Sequence, residues 1–395
     1  MTTNNDPANY VAAPGQVYEG IPLDGVVRLD AYTVGGSLAS ICTGSLLPDG
    51  QHILTAAHCF AGLNLGSVTV TFEVVDPVPP QVITPSAGNI HVHPDYIPAN
   101  LRGNDIAIIR LNSPAPAAMP RYDIYRNTDE IGETIVRVGY GVTGTGHEGE
   151  ISETEGRRRG QNKYDAPTEI LNGHFGFGLS AFADDTQLAY DFDYDKVNDP
   201  DPLGDSPTTD PFGFYCGMFP GTGYDCTNLP DLGVGLAGYE QVQEVMGSNG
   251  DSGGPAFIDG KIAGVASWKR GLSTPPDIDA DENNSTFGEV GSDSRVSTYA
   301  GWIDSVVDIV APRVTSVVIG TSLQLHGDYA VPGGSGEQLR TVPVGGANQI
   351  LISFSDPVGV TQADLSLLGA FSGTAYDVLA PGNSFHYNPI TRTAT

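Results

Sequence analysis

From about Gly25 to Val310 the chain is a succession of short apolar runs, each broken within a few positions by glycine or proline. The runs "GVVRLDAY", "SVTVTFEVV", "DIAIIRL", "TIVRVGYG" and "KIAGVASW" are enriched in Val and Ile. This predicts half-buried antiparallel strands. One segment breaks the pattern. In "TYAGWIDSVVDIV", Thr298 to Val310, the apolar residues Trp302, Ile303, Val306, Val307 and Val310 recur at steps of three and four, which predicts an amphipathic helix. Strand density falls between Gly144 and Gly247, but a structureless loop of that length is unusual inside a compact domain. Two further strands are therefore predicted there, in "TEILNGHFGFGLSAF" and "TQLAYDFD". After "APRV" the alternation resumes in "RVTSVVI", "NQILISFSD", "ADLSLLG" and "TAYDVLA", reading as a second all-β unit. The pattern thus divides the chain into a propeptide-like segment (1–24), a β-rich domain closed by one helix (25–310) and a sandwich-like β unit (311–395). That last unit is shorter than most sandwiches of about 100 residues, so it reads as incomplete.

Charge narrows the possible partners. The chain of 395 residues has 18 Lys+Arg against 47 Asp+Glu, a formal net charge of −29. Such a surface argues against phosphate-mediated nucleic-acid binding, which needs basic side chains. No apolar run approaches the ~20 residues that span a bilayer. The acidity fits solubility in a salty or extracellular medium and leaves room for structural calcium. "DFDYDKVND" (191–199) and "DIDADENN" (277–284) alternate acidic residues as calcium loops do. Neither is read as carrying the glycine and distal glutamate of an EF-hand, so solvated acidic loops are the simpler expectation. "IHVH" (90–93) needs no metal if it is a strand, and "RRR" (157–159) reads as a surface loop or a processing site. The four cysteines, Cys42, Cys59, Cys216 and Cys226, lack zinc-site spacing and allow three connectivities, of which 42–59 with 216–226 is the simplest. Disulfides of this kind imply an oxidising compartment, although "MTTNNDPANYVAAPGQVYEG" is no secretory signal.

The stretch "GSNGDSGGPAF", Gly247 to Phe257, crowds glycines around Asp251 and Ser252. Glycine costs about 0.5–1 kcal/mol relative to alanine in a regular element, so their concentration implies a backbone conformation needed for its own sake. Amides aimed beside a reactive side chain are one such need. A serine nucleophile requires a base, and the base an orienting carboxylate. His58 lies at the end of the apolar run "LTAAHCF". Asp105 opens "NDIAIIRL", where a buried carboxylate calls for a partner.

These segments, "TAAHC", "NDIAIIRL" and "GDSGGPAF", resemble the three catalytic segments of the trypsin/chymotrypsin-like serine proteases, in that family's order. "CTGSLL", "VHPDY", "GVASW" and "DSRVSTYAGWI" resemble its supporting segments, so the likeness covers about residues 25–310. It implies an all-β fold of two antiparallel six-stranded β-barrels with a C-terminal helix. It also implies a secreted, bacterial-type serine endopeptidase that needs no cofactor, acts on protein or peptide substrates and is monomeric. Ser252 would be the nucleophile, His58 the general base and acid, and Asp105 the group orienting the imidazole. The amides of Gly250 and Ser252 would form the oxyanion hole. Cys42 and Cys59 stand where the family places the disulfide of the histidine loop. The interval from Asp105 to Ser252 is longer than the family's, with the surplus in the acidic region of low strand density.

Two departures from the family stand out. Its members pair a new Ile-Val-Gly-Gly-like terminus with the aspartate before the nucleophile, here Asp251. The nearest candidate, Ile21, is followed by Pro22, so either another terminus within 11–21 serves or Asp251 is satisfied differently. Cleavage after Arg or Lys depends on an acidic residue six positions before the nucleophile, where this chain has Met246. With Ser267, Trp268 and Lys269 on the following strand and Asp293 on the back wall, the implied pocket takes apolar or small residues. Asp293 is expected to partner Lys269 or to reach a basic substrate residue. The competing reading is a catalytically silent, protease-like adhesion protein. The last unit resembles bacterial immunoglobulin-like domains and would serve as a spacer or binding module.

Overall fold

The computed structural model describes residues 1–192 and 244–307, except 4–5, 76–78, 85–88, 99–102, 153–155, 173–181, 184, 272–276, 280 and 282. Beyond 307 it describes chiefly the backbone of several strands. The chain divides into two compact units, Met1–Val307 and Asp308–Thr395. Among the described residues no helix is long and apolar enough to cross a membrane. The acidic tract around 193–199, Cys216, Cys226 and Val310 lie outside the described residues.

The first unit opens with β1 (Thr2–Thr3). Its first sheet uses β2 (Val26–Thr33), β3 (Leu38–Leu46), β4 (His52–Thr55), β5 (Leu65–Phe72), β6 (Gln81–Ile83), β7 (Ile90–Val92) and β8 (Ala107–Arg110). They lie in the order β6-β5-β2-β3-β4-β8-β7, all antiparallel. Alternation explains the curl of β2 and β5 around a core. Val27, Leu29 and Ala31 are buried, while Arg28 and Asp30 pair with each other on the outer side at 2.9 Å. On β5, Val68, Val70 and Phe72 point inward.

The second sheet follows with β9 (Thr134–Gly139); β10 (Thr143–Thr145) and β11 (Gly149–Ser152) form a ribbon beside it. It continues through β12 (Arg158–Lys163), β13 (Ala166–Pro167) and β14 (Gln187–Asp191). After β15 (Val245–Met246) come β16 (Pro255–Ile258), β17 (Lys261–Arg270) and β18 (Val290–Arg295). The order is β12-β9-β16-β17-β18-β14-β13. These two curled antiparallel half-barrels are the chymotrypsin fold. Each counts seven strands rather than the expected six, because short edge pieces such as β6 and β13 carry backbone pairing without any apolar alternation to announce them. "TQLAYDFD" supplies β14 as expected. "TEILNG" instead forms a 3-10 turn over Thr168–Leu171, and the rest of that predicted strand lies outside the described residues.

Helix α1 spans Val296–Val307 and buries Val296, Tyr299, Ile303 and Val307; of the expected stripe Ile303 and Val307 are buried, Trp302 and Val306 are only half-buried, and the helix begins two residues before Thr298. Residues 1–24, read from the sequence as a segment ahead of the domain, pack into this unit. Tyr10 is fully buried, Val11 bridges Arg158, and the Ala12 amide donates to the Arg157 carbonyl at 2.9 Å. The triplet 157–159 is a correction to its loop reading. Arg157 is buried and pairs with Asp24 at 2.7 Å, and Arg158 and Arg159 open β12, with the Arg159 guanidinium 4.1 Å over the Tyr18 ring.

In the second unit the strands 324–329, 314–321, 349–354, 393–394 and 387–388 form one sheet in that order, with a separate ribbon of 367–368 and 375–376.

Candidate active site

Register in the first sheet delivers the first two residues of the site. β4 and β8 pair with Thr55 opposite Ala107, so the turn after β4 faces the residues just before β8. His58 sits in that turn and Asp105 in that approach. The Asp105 carboxylate accepts from both the backbone and the ring of His58: Oδ1 from the amide at 2.8 Å, Oδ2 at 2.7 Å from Nδ1. Ser267 Oγ donates to the same Oδ2 at 2.6 Å, and Ser294 Oγ to the Asp105 carbonyl at 2.8 Å. Asp105 is buried, whereas His58 is half-exposed. Burial alone would raise the Asp105 pKa. The His58 charge and the hydrogen bonds from His58 and Ser267 reverse that and hold it below its ordinary 3.8. Burial likewise disfavours imidazolium, but the Asp105 charge and hydrogen bond prevail and lift His58 above 6.5. The Cys42–Cys59 disulfide ties this turn to β3, which makes the expected pairing of these two cysteines a fact of the structure.

The Gly247–Phe257 segment comes from the second half-barrel and docks on the first. The Thr43 amide donates to the Ser252 carbonyl at 2.8 Å, Thr43 Oγ1 to the Gly250 carbonyl at 2.9 Å, and Cys59 Sγ lies 3.9 Å from the Ser252 carbonyl. Ser252 is therefore brought against the His58 turn and is half-exposed there. The glycines answer to geometry. Gly250 has φ of 99° and Gly253 of 80°. A Cβ on Gly253 would lie 2.1 Å from Thr55 Oγ1, so no other residue fits where the two half-barrels meet. The amides of Asp251, Gly253 and Gly254 donate to Ser248, Ala266 and Asp251 carbonyls. Those of Gly250 and Ser252 find no acceptor among the described residues, which leaves both N–H groups unspent.

Asp251 has a partner that the sequence did not reveal. It is the α-ammonium of Met1, at 2.8 Å from Oδ2, with Met1 1% exposed. The ammonium also donates to the Val142 carbonyl and to Ser248 Oγ, both at 2.6 Å. Asp251 accepts further from the Gly141 amide at 2.7 Å and the Ser248 amide at 2.9 Å. β1 holds the terminus in place, pairing parallel with β10 and antiparallel with β15, Thr2 lying opposite Met246. Burial outweighs the attraction of Asp251 and lowers the Met1 amine below its ordinary 8.0. Ile21 takes no part: it pairs with Tyr18 in a ribbon. Nothing in "MTTNND" marks an inserted strand, because Thr2 and Thr3 are held by main-chain pairing.

Of the residues expected to line a specificity pocket, Met246 and Asp293 are buried, whereas Ser267, Trp268 and Lys269 are half-buried. Met246 is fully buried in a core with Tyr190, Phe192 and Phe287. Asp293, expected to face Lys269 or substrate, is also fully buried and is committed to Arg137 and Tyr164. Its Oδ2 accepts from Arg137 at 2.6 Å and from the Tyr164 hydroxyl at 2.7 Å. Burial opposes the Arg137 charge, but Asp293 more than restores it and raises the pKa. The Arg137 guanidinium lies 4.1 Å over the Tyr190 ring. That ring in turn packs where a side chain on Gly291 would stand. Lys269 turns to Glu150 at 2.6 Å and the Asn283 carbonyl at 2.5 Å, and Trp268 stacks on Phe182 at 5.3 Å. Ser267, as noted, serves Asp105. The placements of Met246 and Asp293 depend on Arg137 and Tyr190, from strands remote in sequence, and on Tyr164, which follows β12.

Among the described residues, three metal-ligating atoms lie within 4.8 Å of one another only at Cys42, His58 and Cys59, and both thiols there are spent in the disulfide. "IHVH" is β7 and its approach, with the His93 ring against Tyr299 and Trp302.

Residues 27–166 match the trypsin family model. That segment, with His58 and Asp105 in it, has the sequence character of a trypsin-like serine protease domain. No curated protein sequence matches the chain. Among solved structures it is similar to HL collagenase, at 18% identity and a TM-score of 0.46 over 76% of this chain and 97% of that one. It is also similar to neuropsin, a serine protease expressed in the limbic system of mouse brain, at 16% identity and a TM-score of 0.45 over 76% and 98%.

Proposed function

We propose that the chain is a serine endopeptidase that hydrolyses peptide bonds through an acyl-enzyme formed on Ser252. The observation that carries this reading is the buried Asp105 carboxylate on Nδ1 of the half-exposed His58. That hydrogen bond keeps the proton on Nδ1 and leaves the Nε2 lone pair as the base. In the proposed cycle His58 Nε2 takes the Ser252 hydroxyl proton as Oγ attacks the substrate carbonyl carbon. The oxyanion accepts from the unspent amides of Gly250 and Ser252. Imidazolium, stabilised by Asp105, then protonates the departing amine. A water, deprotonated by the same imidazole, releases the acid and restores Ser252. The Met1–Asp251 pair holds the turn that aims those amides.

The substrate is a protein or peptide, and the residue before the scissile bond is apolar or small. Support comes from Asp293: the carboxylate on the back-wall strand is fully buried and already saturated by Arg137 and Tyr164, leaving no charge for a basic substrate side chain. The Cys42–Cys59 disulfide supports an extracellular setting. The second unit is assigned as a spacer or binding module of immunoglobulin-like type.

Hydrolysis of a peptide panel varied at one position tests both levels. Ser252→Ala is expected to abolish cleavage, with a loss of at least about 10⁴-fold in kcat. Full activity in that variant overturns the mechanism, and efficient cleavage only after Arg and Lys overturns the specificity.

A further inference from the structure

We propose that Asp277, Asp279, the Asn284 side-chain oxygen and Glu289, which lie between β17 and β18, form a binding site for calcium. The first half of the loop has acidic residues at alternating positions, each accepting the amide two residues on. Asp277 Oδ1 accepts from Asp279 at 3.2 Å, and Asp279 Oδ1 from Asp281 at 2.8 Å. By itself this is a solvated acidic turn. What changes the picture is Glu289, the distal glutamate that the sequence pattern did not reveal. The chain folds back so that Glu289 closes the loop, with its Oε1 accepting the Asn284 amide at 3.0 Å and the Ser285 amide at 2.9 Å. Glu289 is fully buried, and its second oxygen, Oε2, has no hydrogen-bond partner among the described residues.

A buried carboxylate oxygen with no donor is a costly thing to keep, and a cation is the group that satisfies it. Protein charge does not fill that role. Lys269 is the cation that acts on Glu289, while Asp277, only 2% exposed, acts on it in the opposite sense. The Lys269 ammonium is itself engaged by Glu150 at 2.6 Å. The polar side chains around Glu289 form one connected set. Thr286 Oγ1 reaches Asp277 Oδ1 at 3.2 Å and Asn284 Oδ1 at 2.9 Å, and Asn284 Nδ2 donates to Asp279 Oδ2 at 2.8 Å. The donors offered are carboxylate and amide oxygens without nitrogen or sulfur, the set of a hard cation. A set of such donors without an octahedral arrangement suits calcium better than magnesium, which demands near-ideal octahedral geometry. No three of these carboxylates lie within 4.8 Å of one another, so binding draws the loop inward.

The site has a line to the catalytic turn. Ser285, whose amide is held by Glu289, places its Oγ 3.0 Å from the Gly247 carbonyl and 3.1 Å from Glu150 Oε1. Glu150 in turn accepts the Asn249 amide at 3.0 Å and its side chain at 2.8 Å. Calcium on Glu289 therefore stiffens residues 247–249, immediately before Gly250. This second consequence rests on the peptidase reading, whereas binding itself does not.

The test uses the full chain, stripped with a chelator and titrated with calcium chloride by calorimetry and thermal unfolding. The Ser252→Ala variant runs in parallel, so that calcium binding is read without catalysis. Binding by the loop, and a rise in Tm of roughly 5 °C at saturation, are expected in both proteins, with little response to magnesium. In Glu289→Gln the calcium response is expected to vanish, while the Tm in chelator is no lower than that of the parent, because glutamine keeps the Oε1 acceptor for the Asn284 and Ser285 amides and carries no charge. Asp279→Asn, at a half-buried position, is expected to weaken calcium binding at least tenfold if Glu289→Gln does not fold. Absence of any response at about 10 mM calcium, ten times the weakest range of extracellular calcium modules, overturns the proposal. So does a full response retained in either loop variant, or a Glu289→Gln protein less stable than the parent in chelator.

Discussion

Replacing Asp251 with Asn probes the link between the Met1 ammonium and the turn that carries Ser252. The carboxylate is 2% exposed and takes the Met1 ammonium at 2.8 Å, the Gly141 amide at 2.7 Å and the Ser248 amide at 2.9 Å. Asparagine keeps one acceptor oxygen and turns an NH₂ donor either toward the Gly141 N–H or toward the ammonium and the Ser248 N–H, so one side always meets donor against donor. Removing one partner of a buried ion pair costs about 3–5 kcal/mol, because the other charge is left without compensation. The chain can limit that cost by withdrawing Met1 into water, at the expense of the β1 pairings with β10 and β15. Either route loosens the turn carrying the Gly250 and Ser252 amides. At 1.36 kcal/mol per factor of ten, 3–5 kcal/mol felt in the transition state is roughly 10²–10⁴ in kcat/KM. The assay is kcat/KM on a peptide anilide, beside thermal unfolding and the reactivity of the Met1 amine toward an acylating reagent. Asp251→Asn should lose at least about 10²-fold in kcat/KM, and its terminus should become reactive where the parent's is protected. A variant within threefold of the parent, with its terminus exposed, refutes the idea that this pair organises the turn.

Three further outcomes follow from the same geometry. His58 must be neutral to act as base and its pKa is raised above 6.5, so the acid limb of kcat/KM should lie above pH 6.5, and Asp105→Asn should move it down while cutting kcat by about 10⁴. The charged His58–Asp105 pair stabilises the fold below 6.5 and loses that contribution as pH rises through the raised value. The Met1 amine, lowered below 8.0, sets an alkaline limb that begins below pH 8, and a profile flat from pH 5 to 9 would contradict both assignments. Arg137→Met, which strands the fully buried Asp293, should cost about 3–5 kcal/mol in urea unfolding, and adding Asp293→Leu should recover part of it; no recovery would mean that packing, not charge, dominates. Replacing Cys42 and Cys59 by serine opens a loop of sequence separation 17 and should cost about 3 kcal/mol on the chain-entropy account, read from the urea midpoint.

The residues that sequence reading located share one property: each announces itself within a few positions. His58 and Asp105 sit at the ends of apolar runs, and Ser252 sits among glycines whose cost demands a reason. The strands with alternating burial, β2 and β5, were legible for the same reason, as were Ile303 and Val307 on the buried face of α1, whereas Val296 and Tyr299 on that face were not. What was not legible depends on partners brought from far along the chain. Met246 and Asp293 looked like pocket residues until Tyr190 and Arg137 filled the space around them. The arginines at 157–159 looked like surface charge because Asp24 and Tyr18, which receive Arg157 and Arg159, lie more than a hundred residues earlier. Glu289 completes its loop through a fold-back that alternation does not encode. Met1 bears no signal at all, since an α-amino group is invisible in residue type.

The claim that Ser252 is an activated nucleophile is tested most directly by a fluorophosphonate probe, with mass spectrometry of the intact protein and of the peptide spanning Gly247–Phe257. Stoichiometric phosphonylation of Ser252 Oγ with loss of fluoride, parallel loss of peptide hydrolysis, and no labelling in His58→Ala are the expected results. A folded protein that remains unlabelled, or one labelled elsewhere while Ser252 stays free, would contradict the account and leave a protease-like fold that only binds.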